Sequence, residues 1–163
     1  MPMVTDTRQM FNQCKVLTSF RSYLPKLQSG GNMFSSCPQL KSFNCDMPEL
    51  TSAAYMFGGC TSLTSFSNDV SKVSAGKYMF NQCSKLTSFS SDLPMLSDGT
   101  GMFNQCKLDK ASALRVLNTI PAYTSGTHSL TLGMASALNG DADITAALTA
   151  ASNKGWTVTT QYN

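Results

Sequence analysis

The stretch Met79-Phe80-Asn81-Gln82-Cys83-Ser84-Lys85-Leu86-Thr87-Ser88-Phe89, running on to Asp92-Leu93-Pro94-Met95-Leu96, decides the fold, because almost every residue in it recurs at a fixed step. Met-Phe pairs stand at Met10-Phe11, Met33-Phe34, Met56-Phe57, Met79-Phe80 and Met102-Phe103, each 23 residues from the last. Cysteine follows four residues after each Met, at Cys14, Cys37, Cys60, Cys83 and Cys106. Leu17, Leu40, Leu63 and Leu86 form the next column, and Phe20, Phe43, Phe66 and Phe89 the one after. All nine Phe therefore occupy two columns of one repeat. Pro25, Pro48 and Pro94 mark a turn, with Ser71 in the same column.

One such unit holds too few apolar residues to enclose a core, so each turn must stack on its neighbours, which is the logic of a solenoid. Leu-x-Ser-Phe suits a short strand, expected over residues 17–20 and at every 23-residue image, pairing in parallel about 4.8 Å from the next turn. Met and Cys at i and i+4 share one side of a helix, so Met-Phe-x-x-Cys predicts a single helical or 3₁₀ turn on the opposite side. Pro2 lies eight residues before Met10, as Pro25 does before Met33, so the chain opens in mid-repeat. A preceding segment of a longer polypeptide is therefore expected to cover the first turn, since solenoid ends need capping. After Cys106 the period breaks. Asp109 is placed to cap a helix with Leu114, Leu117 and Ile120 inward, stopped by Pro121. A strand is expected at Leu130-Thr131-Leu132, then a helix capped by Asp143 with Ile144, Leu148 and Ala151 inward, then a strand from Trp156 to Thr159. The domain reading is a solenoid over residues 1–108 and capping turns of the same domain over residues 109–163.

The pattern x-Met-Phe-x-x-Cys-x-x-Leu-x-Ser-Phe-x-x-x-Leu-Pro-x-Leu resembles the leucine-rich repeats of bacterial surface proteins, the BspA-like class, and related repeats of mycoplasma surface lipoproteins. The likeness covers residues 2–108, with Met-Phe where Ala-Phe is more usual and Phe in place of the usual strand Ile. It implies an α/β repeat solenoid of leucine-rich-repeat type, with short parallel strands and short helical turns, closed by a helix-strand-helix-strand cap. It also implies adhesion to a protein or glycan and a cell-surface setting. The C-terminal part resembles segments of repeat proteins from gut bacteria and their phages, which sets a second expectation: a structural or receptor-binding module of a larger particle, such as a phage tail fibre.

Composition narrows the chemistry. Charged residues make up 13% of the 163, about half the usual share, and the net charge of +3 is spread over twelve basic residues with no run among them. Neither a nucleic-acid surface nor a membrane span is indicated. Residues 1–6 have neither the basic region nor the apolar stretch of a signal peptide. No Cys-x-x-Cys exists, so no metal is expected, and the repeated cysteines are read as small buried hydrophobes, reduced and fitting a reducing or anaerobic setting. Cys45, outside that column, is read as an inward strand-end residue. Asn139-x-Asp141-x-Asp143 imitates the start of a calcium loop but lacks its Gly and its bidentate Glu. His128 has no nucleophile or carboxylate at motif spacing and is expected in an exposed loop or at a strand edge. No catalytic residue and no cofactor is assigned, and the chain is not read as an enzyme.

What remains is surface. With the strand Phe inward, alternation turns the flanking positions outward. The candidate ligand-binding residues on that strip are Arg21, Tyr23, Asn44, Asp46, Asp69 and Asp92. The recurring Asp46, Asp69 and Asp92 are read as turn-forming residues accepting from backbone N–H, or else as a cation site or a contact for a basic partner. The opposite side carries near-copies of Phe-Asn-Gln-Cys, including Gln13, Gln82 and Gln105, and copying suits a scaffold.

Overall fold

The computed structural model describes residues 3–163; the mid-repeat reading of Pro2 lies outside them. Four short strands mark successive turns: β1 (Ser19–Tyr23), β2 (Ser42–Asp46), β3 (Ser65–Phe66) and β4 (Ser88–Phe89). β1 pairs with β2 and β3 with β4, parallel, each residue opposite its 23-residue image, as in Phe20 with Phe43 and Phe66 with Phe89. The strands begin two residues later than the expected 17–20, because Leu17 and its images turn into the core before the ladder starts. A further line of single parallel bridges runs through Asp6, Ser29, Ser52, Ala75 and Asp98.

The Met-Phe-x-x-Cys segments are not helical, and this corrects the sequence reading. They are paired β-turns: Met10 N–H donates to the Thr7 carbonyl and Cys14 N–H to Phe11, each at i−3. The third residue of each turn, Gln9 or Gln13, has a φ near +60°, the left-handed value a type II turn requires. The N–H groups between them donate to the next turn, Phe11 to Met33 and Gln13 to Ser35. A helix would direct every N–H along its own segment; here half of them hold the stack together.

The core is a double column of Phe rings. Within the first column Phe57 lies parallel to Phe34 and Phe80, with centroids 5.7 and 5.4 Å away. Phe20, Phe43, Phe66 and Phe89 form the second column, and each of these four meets two rings of the first at a steep angle, as Phe43 meets Phe34 at 5.4 Å and Phe57 at 4.7 Å. Stacked and edge-to-face are the two arrangements the ring quadrupole favours. One zipper runs the length of the repeats.

The C-terminal part exchanges the two sides. β5 (Gly99–Leu108) contains the fifth Met-Phe-x-x-Cys segment and pairs with β6 (His128–Met134), which pairs with β7 (Trp156–Tyr162), all parallel. Strands thus continue the turn side. On the strand side the next position is taken by helix α1 (Lys110–Thr119), where Ser112 Oγ accepts from Phe89 N–H at 2.9 Å and Thr119 Oγ1 from Leu93 N–H at 3.1 Å. Side-chain oxygens there do what a strand's carbonyls would have done. Helix α2 (Ala142–Asn153) packs on α1. Asp109 caps α1 through Ser112 N–H. The cap of α2 is Asp141, accepting from Asp143 and Ile144 N–H, and not Asp143; Lys110 pairs with both carboxylates, at 2.9 and 2.6 Å. Lys154 ends α2, and its ammonium donates to the carbonyls of Leu117, Asn118 and Ile120, closing the C-terminus of α1.

Candidate binding surface

The candidate strip is assembled by the strand ladder. Arg21 stands opposite Asn44 and Tyr23 opposite Asp46, all four exposed, Tyr23 at 60%. Asp69 and Asp92 continue the column of Tyr23 and Asp46 just beyond β3 and β4, also exposed. The acidic column does not act uniformly. Asp69 Oδ1 accepts from Ser71 N–H at 2.8 Å, the turn-forming role its sequence suggested. Asp92 instead pairs with Arg115, which stands 23 residues on, one turn of the stack further, on α1. Arg115 belongs to this column and was missed because the helix hides the period; the step from Asp92 was the available signal. A neighbouring column carries Lys26, Glu49 and Lys72, and the Lys72 ammonium 2.8 Å from Glu49 holds that carboxyl below the usual carboxylate range. Alternating sign relieves the repulsion that stacked like charges would produce.

The cysteines are structural. All six are free thiols; Cys14 is half-buried and the other five are buried. Four of them form a second ladder: Sγ of Cys37, Cys60, Cys83 and Cys106 donates to the carbonyls of Phe11, Phe34, Phe57 and Phe80, at 3.0 to 3.2 Å. Each of these carbonyls already accepts from the Cys N–H three residues on. The thiol fills the second lone pair, which an Ala or Val would leave bare. Burial pushes Cys45 up to about 11 and Cys60 up to about 12, and Cys37, Cys83 and Cys106 are raised by the same cause. The native state therefore keeps these protons where the unfolded chain, ionising near its ordinary value, loses them. Stability from this source is full below about pH 8.5 and falls as pH rises through the native values. The urea midpoint is expected to drop between about pH 8 and about pH 10.5, and to drop less in Cys60→Ala/Cys83→Ala. Equal slopes in the two proteins would show that the thiols do not carry the effect.

His128 opens β6 and is half-buried, not in an exposed loop. Its ring stacks on Tyr123 at 3.6 Å, with Nδ1 3.0 Å from the Ser97 carbonyl and Nε2 3.1 Å from that of Ser125. Main-chain carbonyls on both nitrogens make it a brace for the cap. Among the described residues no group of three His, Cys, Asp or Glu gathers as a metal site, and no helix is long and apolar enough to cross a membrane.

The first turn has a different character. The carbonyls of Ser29, Gly31, Met33 and Ser35 accept from the turn before. Their images in the first turn, Asp6, Arg8, Met10 and Asn12, point away from the stack. Met10 is 46% exposed where Met33 and Met56 are buried, and Phe11 and Leu17 are half-buried where their images Phe34 and Leu40 are covered.

A parallel ladder of 23-residue turns around two ring columns defines a leucine-rich-repeat solenoid, a scaffold that works through its surface. A family profile for BspA-type leucine-rich repeat regions matches residues 7–129 in six copies, and the chain belongs to that family. Its repeats are generally protein-interaction modules, not known as enzymes. Curated proteins and solved structures yield no match to this chain.

Proposed function

We propose that the chain is a non-enzymatic binding module whose strand face engages a protein ligand through Arg21, Tyr23, Asn44, Asp46, Asp69 and Asp92. The observation that carries this is the strip itself: side chains that vary from turn to turn, exposed and held in register on a scaffold whose inward columns barely change. Asp46 and Asp69 favour a partner with basic residues opposite them, while Arg115 neutralises the far end of the column. Apart from Tyr23 the strip has few of the aromatic anchors of tight interfaces, so a single module binds weakly and gains from repetition. The test is an alanine scan of Arg21, Tyr23, Asn44 and Asp46 against a captured ligand, with the unfolding midpoint checked. Each change is expected to weaken binding by about 0.5–2 kcal/mol. Intact binding in all four, with loss at Gln13, Gln82 and Gln105, refutes the strand-face reading.

A second reading, a structural module of a larger particle, is supported by the open face of the first turn, where Met10 is 46% exposed and the carbonyls of Asp6, Arg8, Met10 and Asn12 point away from the stack. Those carbonyls fit the N–H groups that another turn of this repeat offers, as Ser29 and Met33 accept from Thr7 and Phe11. Splicing a copy of residues 76–98 in register ahead of Thr7 is expected to raise the melting temperature and to reduce hydrophobic-dye binding. No change in either would remove this reading.

A further inference from the structure

The turn side carries a feature that its scaffold role does not explain. Residues 9, 32, 55, 78 and 101 form one column, and all five have φ between 55° and 65°. Gly101 and Asn32 are residues this left-handed backbone accepts readily; tyrosine is not, and the column holds Tyr55 and Tyr78. Neither ring repays the strain by filling the core: Tyr55 is 38% exposed and both lie outside the buried cluster. The rings stack on each other, centroids 4.8 Å apart and 22° from parallel, with the Lys77 ammonium 5.8 Å from the Tyr78 centroid. The surroundings make room for them. A Cβ on Gly101 would fall 2.1 Å from Tyr78 Cδ1 and Cε1, so that position must be bare. Gly58, 3.7 Å by its notional Cβ from Tyr55 Cδ1, stands where the other turns have Asn12, Ser35, Asn81 and Asn104.

Two columns that follow this one in each turn supply uncharged polar groups: Ser35, Ser36, Asn81, Gln82, Asn104 and Gln105. Asn104 Nδ2 donates to Asn81 Oδ1 at 2.7 Å, so two of these amides are already paired. Amides and hydroxyls both donate and accept. We infer that the turn side holds a second binding site, centred on Tyr55 and Tyr78, for a neutral carbohydrate. A pyranose offers an apolar C–H face to an aromatic ring and, around its rim, hydroxyls that need donors and acceptors together. A protein partner would call for a larger buried anchor cluster than one aromatic pair supplies. Of the described cations, Lys77 is the one in cation–π contact with these rings, a single charge for a strongly anionic ligand.

The site is on the face opposite the strand strip, so the two stand or fall separately. The experiment is an NMR titration of the intact chain with cellotriose, N-acetylchitotriose and mannotriose in turn, reading the Tyr55 and Tyr78 rings and the Gly58 amide. At least one trisaccharide is expected to shift these signals saturably. Tyr55→Asn, which installs the residue found at position 32, is expected to fold as well as the parent and to bind about tenfold more weakly. Tyr55→Phe, which keeps the ring, is expected to bind within a few-fold of the parent. The inference is overturned if no sugar of the three moves these signals, if shifts gather at Arg21 to Asp46 instead, or if Tyr55→Asn binds as tightly as the parent.

Discussion

Phe57→Ala is expected to cost about 4 kcal/mol, a large share of the stability of a domain this size. Phe57 is fully buried and meets four rings: Phe34 and Phe80 along its own column, Phe43 and Phe66 across the zipper. Truncation removes the ring's transfer free energy and leaves a cavity lined by aromatics that are themselves held by the next rungs, so the site cannot collapse around it. Each turn contacts only its neighbours, so the damage also weakens the coupling between the two halves of the stack. The single tryptophan reports on one half: Trp156 is buried in the cap, its Nε1–H donating to the Pro121 carbonyl at 2.8 Å. In a urea titration the circular-dichroism transition is expected to move well ahead of the parent's and to precede the Trp156 emission change. Phe11→Ala supplies the comparison. Phe11 is half-buried and meets only Phe20 and Phe34, so its loss is expected to cost about half as much. Equal small costs at the two positions would mean that the zipper is not the source of stability.

The parts of this architecture that the sequence disclosed are those in which one residue type serves one purpose in every turn. Phe and Cys recur because each rung needs the same ring contact and the same thiol donor, and a fixed step of 23 makes that visible. The error over the Met-Phe-x-x-Cys segment has a physical origin. Two turns in series place Met and Cys on the same inward side as a helix would, so apolar spacing alone does not separate the cases. What separates them is the left-handed φ at Gln9 and Gln13, residue types that do not announce it; Asn32, Gly59 and Gly101, in the same columns, carried a hint. The cap misled in a similar way. Asp141 and Asp143 are two residues apart and both acidic, and the backbone separates them: Asp141 is the extended residue before the helix and accepts from the Asp143 and Ile144 N–H, while Lys110 pairs with both carboxylates. Of the surface, the outward direction of Arg21, Tyr23, Asn44 and Asp46 followed from strand alternation, whereas the pairing of Asp92 with Arg115 depended on a helix taking a strand's place.

Gly133→Ala is expected to destabilise the protein by about 3 kcal/mol or more, although the change adds a single methyl group. The reason lies where the repeat meets the cap. Along β5 and β6, Phe103 stands opposite Leu132 and Leu108 opposite Met134, so five steps on one strand match two on the other. The surplus is the repeat's own turn, Phe103 to Cys106, kept as a bulge with Gln105 left-handed at φ 61° and its N–H held by Gln161 Oε1. β6 is a regular strand passing beneath that bulge, and Gly133 lies at the point of closest approach. A Cβ there would come within 2.4 Å of the Phe103 carbonyl oxygen, 2.6 Å of Cys106 N and 2.7 Å of Cys106 O. All three atoms are backbone, so no side-chain rotation relieves the overlap. The cap must separate from the last repeat, or the bulge must surrender the hydrogen bonds that tie it to both neighbours. Gly140→Ala separates this effect from the general cost of replacing a glycine. Its φ is +79°, but nothing lies within 4 Å of the added atom, so it pays only for the left-handed backbone, about 1 kcal/mol. Urea unfolding followed by Trp156 emission is the measurement, since β7 and its tryptophan hang on β6. A Gly133→Ala midpoint no lower than that of Gly140→Ala would mean that the Phe103–Cys106 turn moves freely, and that the cap is not locked to the solenoid by the bulge.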